Sequence, residues 1–422
     1  MKLRAVSRIA QLFGVSVVDQ IVLSGANFLI GFLLIRRTSD TDYGLFVLVQ
    51  SGIALLISAQ GAWLSGPLTV VALRKSAERR REMLGAAKES QDRFLRRVAP
   101  ILMIIPAAMY WLLGRSFLVC VVSALGILAG WTALQREYLR TSLLMYRRSH
   151  DVLRADLCYV AVLVTGACIA AYGPKPAAIY AVSALAAAGL AGSRVAFRQL
   201  AKDPGWVSAD AAPVWSEIRS IGVWSAIGAV IYWLFTQSYS YVLASRLDLS
   251  AVTAVNAARL LLMPTIVLTV GVTSMLMPTA ASWLAEFGFN KLMRRLLAFL
   301  VVIALLDASY FAFVWFLRDW LTNDLLHKAI ADRDRLLVLW AGVALVGLVR
   351  DFLQCAMFAL GRQKSMAWLI GLSAIIALTV MWFGLGRWGA AAVLIGQIVG
   401  ECVNLAGLIA LLHRQFRLYS AR

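Results

Sequence analysis

The sequence predicts an all-α integral membrane protein of about twelve transmembrane helices, arranged as two six-helix lobes. Three observations carry that reading. The chain is 61% hydrophobic with only 15% charged residues, and its mean hydropathy of +0.77 leaves no room for a separate soluble domain. Apolar runs of roughly 20 residues, long enough to cross about 30 Å of hydrocarbon, recur from end to end. Lys and Arg are distributed unevenly between alternate connections, as in a multi-pass chain.

The first span, 14–35, carries Asp19, Gln20 and Asn27. Lys2, Arg4 and Arg8 ahead of it imitate the start of a signal peptide, but the run is too long and too polar, so a retained helix is expected. A short charged connection, Arg36–Tyr43, leads to span 44–66 and Pro67. In the basic segment that follows, Met83, Ala87, Phe94 and Val98 recur near helical spacing. Glu89/Arg93 and Asp92/Arg96 form i,i+4 pairs there. Glu78–Arg97 therefore reads as a solvated extension of the third span, 98–113, in preference to a partner-binding helix. Spans 116–135, 157–173 and 177–197 complete the first half, with a basic connection at 136–156.

Residues 198–220, including Lys202-Asp203-Pro204-Gly205 and Pro213, read as a cytoplasmic linker between a lobe at 1–197 and a lobe at 221–422. The second lobe holds spans 221–243, 250–277, 297–317, 336–360, 365–385 and 389–412. Each half opens with a long span, a short charged connection (Arg36–Tyr43; Arg246–Leu249) and a span containing Pro67 or Pro264. Parallel repeats of this kind are common in secondary transporters. Segment 318–335 has Leu321, Leu325, Leu326 and Ile330 spaced for an amphipathic helix lying on the membrane surface.

With the N-terminus in the cytoplasm, and Arg194 at the end of the sixth span counted with the linker, 29 Lys and Arg fall in cytoplasmic segments and 10 in outer ones, leaving Arg259 and Arg350 deep inside spans. Both termini are thus expected in the cytoplasm, with the chain in the cell inner membrane. The formal charge of +19 is mostly this signal, together with attraction to anionic headgroups, and needs no nucleic acid. The five cysteines lie in spans without metal-ligand spacing, and the three histidines are scattered. No catalytic constellation, phosphate-binding Gly-rich loop or metal site is visible, and no cofactor is expected.

Six ionisable residues lie within spans: Asp19, Arg259, Asp307, Arg350, Asp351 and Glu401. At a helix centre each costs roughly 2.5–3.5 kcal/mol on insertion scales, which marks a polar interior pathway. Arg259 lies about ten residues, or about 15 Å of helical rise, into its span, near the membrane midplane. Arg350 is similarly deep. A guanidinium stays ionised when buried and binds phosphate in a bidentate fork. Arg350 could instead serve only to neutralise a carboxylate on another helix, such as Asp307, while the adjacent Asp351 points about 100° away. Asp19, Asp307, Asp351 and Glu401 are candidates either for a coupling ion, proton or sodium, or for charge pairing. Asn27 falls on roughly the face of Asp19, and Asn404 extends that of Glu401. Tyr232, Trp233, Tyr239 and Tyr241 either stack against sugar rings or form ordinary packing and an interfacial belt.

Three stretches carry a family resemblance. They are Asp19-Gln20 with Ser24-Gly25-Ala26-Asn27-Phe28 and the connection Arg36 to Gly44; Gln135-Arg136-Glu137-Tyr138-Leu139-Arg140 with Arg147-Arg148, Arg154 and Asp156; and Gln237, Tyr239 and Tyr241 with Asn256-Ala257-Ala258-Arg259 and Pro264. They resemble the polysaccharide (O-antigen-type) flippase branch of the multidrug/oligosaccharidyl-lipid/polysaccharide exporter superfamily. The resemblance implies two six-helix bundles around a central cavity and alternating access. It implies an undecaprenyl-diphosphate-linked oligosaccharide as cargo, for surface polysaccharide synthesis. The substrate contacts expected are Arg259, Arg350, Gln237 and Tyr239. The expected partners are membrane lipid, that cargo and polysaccharide polymerase machinery, around a monomer. The lipid II flippase of the superfamily has extra spans, which this chain lacks.

Two rivals stand beside this expectation. A multidrug or ion antiporter of the same superfamily would want carboxylates more than arginines at its site. A membrane glycosyltransferase, polymerase or ligase would read Asp319, Asn323, Asp324, His327, Asp332 and Asp334 as an acidic catalytic loop.

Overall fold

The computed structural model describes residues 2–112, 114–202 and 212–420, and among them there are helices and no strand. Eleven helices are long and apolar enough to cross a bilayer, or twelve when one bent pair is counted as a single span. With the bent pair as one, they are α1 (Lys2–Arg37), α2 (Asp40–Ala72), α3 (Ala77–Trp111), α4 (Phe117–Met145), α5 (Ser149–Tyr172), α6 (Ala177–Leu200) and α7 (Ala212–Gln237). After a short helix Tyr239–Arg246 come α8 (Leu249–Leu261 with Met263–Met277), α9 (Thr279–Phe316), α10 (Arg333–Ala359), α11 (Gln363–Trp388) and α12 (Ala391–Ser420).

By contacts the chain divides into two compact units, Met1–Val230 and Ile231–Arg422, so the division falls inside α7. The start of α7 is bound into the first unit. Val214 and Ile218 are buried with Leu64, Leu68 and Met83. Trp215 Nε1 donates to Ser90 Oγ at 2.9 Å, and Lys75 pairs with Glu217 at 3.0 Å. Of the linker expected at 198–220, residues 203–211 lie outside the described residues.

In the first unit the helix starts are capped by local polar residues. Ser39 Oγ accepts from the Asp42 N–H at 3.1 Å and donates to Asp42 Oδ2 at 2.7 Å. The other Asp42 oxygen accepts from the Ala178 N–H at 2.9 Å, so one buried carboxylate serves the first turns of both α2 and α6. α2 is interrupted by a π-helical turn, Gly61–Ser65, just before Pro67. Such a turn accommodates a residue that cannot donate to the ladder. In the second unit the corresponding span bends by 59° between Leu249–Leu261 and Met263–Met277, just before Pro264. Its N-cap is Asp248, whose carboxylate accepts from the Ala251 N–H at 2.8 Å, and this bond holds that carboxyl below the usual carboxylate range. Both units thus interrupt the same helix of their order at the same punctuation.

Four expectations are corrected. The fourth span does not end near 135: α4 continues to Met145 and carries Arg136 and Arg140 into the bundle, while α5 begins at Ser149. Segment 278–296 is not a loop, because helix runs on both sides of Gly288, whose φ of 76° supplies the break. Segment 318–335 is not a surface amphipathic helix: a π-helical turn, Trp320–Leu325, buries Leu321 and Leu326, and irregular chain follows. Its acidic residues Asp319 and Asp334 pair with Arg333 at 2.8 and 2.9 Å, so two of the six residues of the acidic-loop reading are engaged in ion pairs. The Glu78–Arg97 stretch is half core rather than solvated, with Met83, Leu84, Ala86 and Ala87 fully buried and Lys88 tied to Asp92 at 2.5 Å.

Close helix contact relies on small residues, the usual device where lipid offers no hydrophobic drive to association. An added Cβ at Gly396 of α12 would sit 2.7 Å from Ala377 O and 2.9 Å from Met381 N, both backbone atoms of α11. Those atoms cannot move aside, so Gly396→Ala is expected to cost about 1–3 kcal/mol by overpacking. Gly371→Ala on α11, where nothing lies within 4 Å, should be neutral or stabilising. Thermal midpoints of the two variants in one detergent check the contrast, and equal midpoints would contradict the packing.

Candidate functional site

Breaks in two helices of the second unit build the site. α7 is interrupted at Ser238, whose hydroxyl turns back to donate to Leu234 O. Gln237 ends one helical segment and Tyr239 begins the next. Arg259 sits in the last turn of Leu249–Leu261, immediately before the 59° bend. A cation there faces the negative end of the helix dipole, so the bend itself favours an arginine.

These elements and α10 and α12 enclose a cavity of about 190 Å³. Arg259, Gln237, Arg350, Asp351 and Glu401 line it, along with Tyr232, Thr265, Thr269, Trp340 and Gln397. Tyr239 lies directly behind Arg259. Five of the eight residues singled out from the sequence therefore share one cavity wall.

The two arginines differ in their partners. Arg350 is buried and donates to Glu401 Oε1 at 2.7 Å through Nη1, and to Asp351 Oδ1 at 3.1 and 2.8 Å through Nε and Nη2. Its carboxylate partner on another helix is thus Glu401 of α12, and not Asp307. The expected divergence of Arg350 and Asp351 is also corrected, because the long arginine side chain curls back across the 100° offset. Arg259 is half-buried and has only neutral partners among the described residues. Its Nη1 donates to Gln237 Oε1 at 3.3 Å and to Tyr239 OH at 3.1 Å, and its guanidinium lies 5.6 Å from the Trp340 ring centroid. Tyr239 passes the chain on, donating to Asn256 Oδ1 at 2.8 Å, and Trp340 Nε1 donates to Val255 O at 2.9 Å. Two of the groups that orient Arg259, Tyr239 and Trp340, are therefore themselves held.

The remaining carboxylates separate. Asp307 lies behind the cavity wall, with its Oδ2 accepting from Thr269 Oγ1 at 3.5 Å and no cation partner among the described residues. Its Oδ1, Gln397 Oε1 and Glu401 Oε2 are buried without a protein partner. Polar atoms of that kind are normally satisfied by water, which suits a wet cavity. Asp19 belongs to the first unit. It accepts from Arg140 Nη2 at 2.8 Å, while Arg140 Nε and Arg136 Nη2 both reach Asp156. Arg136 also stacks 3.8 Å from the Tyr159 ring centroid. Gln20 and Asn27 are exposed, so Asp19 and Asn27 form no common polar face. Asn404 is buried on α12 but is not part of the cavity wall. Tyr232 lines the cavity, whereas Trp233 and Tyr241 contact each other with centroids 5.7 Å apart.

Sequence reasoning missed Trp340, Thr265, Thr269 and Gln397. A signal existed for two of them: Trp340, Val343, Gly347 and Arg350 follow at intervals of 3, 4 and 3 on α10, and Gln397 precedes Glu401 by 4 on α12. It also missed Arg136 and Arg140, which were assigned to a loop.

No protein-family model matches the sequence, and no curated protein matches it. The fold does have solved relatives. An inward-facing multidrug resistance MATE family transporter of the MOP superfamily is similar with a TM-score of 0.76 and 13% identity, covering 95% of each chain. The lipid II flippase MurJ in an inward closed conformation matches with a TM-score of 0.74 and 10% identity, over 96% of this chain and 87% of its own. A MOP superfamily transporter from Pyrococcus furiosus, described as having a binding pocket of reverse polarity, gives 0.68 and 12% over 96% and 95%. The fold of this chain is therefore the multi-pass helical fold of the MATE and MurJ transporters.

Proposed function

We propose that the chain is a flippase that carries an undecaprenyl-diphosphate-linked oligosaccharide from the cytoplasmic to the outer leaflet by alternating access, for surface polysaccharide synthesis. On this reading it lies in the cell inner membrane with both termini in the cytoplasm, in keeping with its 29 to 10 distribution of Lys and Arg. The observation that carries the proposal is Arg259. It is a cation oriented by neutral groups at a helix break in a polar cavity, while both cavity carboxylates are engaged by Arg350. That arrangement suits a phosphate oxygen, which a guanidinium binds through charge-assisted, forked hydrogen bonds. Gln237 and Tyr239 hold the fork; Arg350 is assigned to holding the wall. The cavity, of about 190 Å³, would receive the headgroup at this guanidinium.

A second reading, a multidrug or ion antiporter, rests on Asp307. Asp307 meets the cavity wall at Thr269 and has no cation partner among the described residues, so it is a group available to an incoming cation, proton or sodium. Coupling in a flippase would use the same residue.

Three outcomes are expected. Deleting the gene should leave lipid-linked oligosaccharide accumulated facing the cytoplasm; complete absence of that precursor would point to synthesis instead. Arg259→Ala should reduce export by about 10- to 100-fold, the worth of a charged hydrogen bond, and Arg259→Lys should recover little because an ammonium cannot fork. Normal surface polysaccharide in Arg259→Ala at matched membrane levels would sink the assignment. Asp307→Asn should retain export while losing any dependence on a proton or sodium gradient, measured in vesicles with imposed gradients; unchanged ion dependence would clear Asp307 of coupling.

A further inference from the structure

The first unit holds a second polar feature, which shares no lining residue with the ion pairs of Arg136 and Arg140. Two adjoining cavities of about 310 and 330 Å³ lie against α3, α4 and α6 and share Gln135 and Ser193 in their walls. One is cationic, lined by Lys88, Arg194 and Arg198 beside Phe197. The other is lined on α4 and α6 by the apolar Leu128, Trp131 and Leu190, and on α3 by Asp92 and Arg96. Together they form an amphipathic groove.

Its polarity runs along the helices. On α6 the order is Leu190, Ser193, Arg194, Phe197 and Arg198, toward the helix end at Leu200. On α4 Leu128 and Trp131 come before Gln135 and Leu139. On α4 and α6 the apolar part is thus toward mid-helix and the basic part at the helix end. From Leu190 to Arg198 is about 12 Å at 1.5 Å per residue, within the roughly 15 Å depth of one hydrocarbon leaflet.

We propose that this groove binds one anionic glycerophospholipid, with its phosphate against Arg194 and Arg198 and its glycerol esters beside Trp131. Arg194 and Arg198 have no carboxylate partner among the described residues, whereas Lys88 is already held by Asp92. Phe197 and Leu190 are each 46% exposed along the same face, where acyl chains would lie. The Trp131 indole N–H supplies the specificity. Trp131 is itself only partly buried in the wall, but its indole nitrogen is covered and has no hydrogen-bond partner, so a small turn of the ring into the groove gives this orphaned donor an acceptor. An ester carbonyl at the top of an acyl chain is such an acceptor at the right depth. A polyprenyl phosphate has the anionic end but no ester carbonyl, so the chemistry favours the glycerolipid over the proposed cargo.

Native mass spectrometry of the full-length protein, titrated with phosphatidylglycerol or phosphatidylcholine, tests this. Phosphatidylglycerol should bind at one preferred site, and Arg194→Gln and Arg198→Gln should each weaken it by about fivefold, whereas Arg115→Gln should not. Trp131→Phe should weaken the ester lipid by about fivefold. The ether-linked phosphatidylglycerol, lacking the carbonyl, should bind the wild type about as weakly and be insensitive to Trp131→Phe. Equal retention of phosphatidylglycerol and phosphatidylcholine, or ester and ether lipids that respond alike to Trp131→Phe, overturns the proposal. Undecaprenyl phosphate binding more tightly than phosphatidylglycerol through the same arginines would reassign the groove to cargo, and displacement by millimolar inorganic phosphate would reassign it to a free anion. Wild-type thermal midpoints in the variants exclude misfolding as the cause.

Discussion

The ion pair between Arg350 of α10 and Glu401 of α12, reinforced by Asp351, governs the chemistry of the second unit. A buried pair of this kind gains little over hydrophobic packing, yet removing one partner costs about 3–5 kcal/mol because the other charge is stranded. The pair therefore acts as a constraint: α10 and α12 must present these side chains at 2.7 Å. Once they do, Trp340, Val343 and Gly347 on the same face of α10 are fixed as cavity wall. With both carboxylates occupied, Arg259 is left with a carboxamide, a phenol and an indole face. A cation so held is oriented without being neutralised, and that makes it receptive to an anion.

The first unit meets the same requirement with the opposite result. Arg140 lies between Asp19 of α1 and Asp156 of α5, with Glu137 of its own helix 3.7 Å away, and Arg136 shares Asp156, so two cations are met by three carboxylates within a helix junction. These arginines join three helices, and each has a carboxylate partner, although Arg136 Nε is buried without one. Both units break a helix just before a proline, but only in the second does the break carry an arginine in its final turn. Similar backbone punctuation thus serves two different electrostatic ends.

The spans were legible because hydrocarbon thickness sets a minimum apolar length, which twelve runs in this sequence satisfy. The deep arginines were legible for the same reason, since any charge within such a run stands out. The pairings were not, because the sequence orders residues along a helix but not across helices: nothing local distinguishes Glu401 from Asp307 as the partner of Arg350. Hydropathy also misplaced Arg136 and Arg140. Charges that neutralise one another across helices depress the hydropathy of α4 as a loop would, while the backbone continues to Met145. Conversely, the break at Gly288 needs only one residue with positive φ, too short an interruption to show as a composition shift.

Charge balance in the cavity bears on how transport would be driven. On the proposed flippase reading, Arg259 and Arg350 against Asp351 and Glu401 give a formal sum of zero with all four ionised, so the empty site would carry no net charge across the membrane. Loaded with a diphosphate of charge −2, the same site would. With the cell interior negative, moving that charge outward is favourable by about 4.6 kcal/mol at 100 mV, and the neutral return is electrically free. A site with the same arginines but one carboxylate fewer would return positively charged and gain from a negative interior on the inward stroke, but would surrender as much on the outward one. The carboxylate that exceeds the needs of Arg350 thus balances Arg259. It leaves the cargo's own charge as the quantity on which the membrane potential acts.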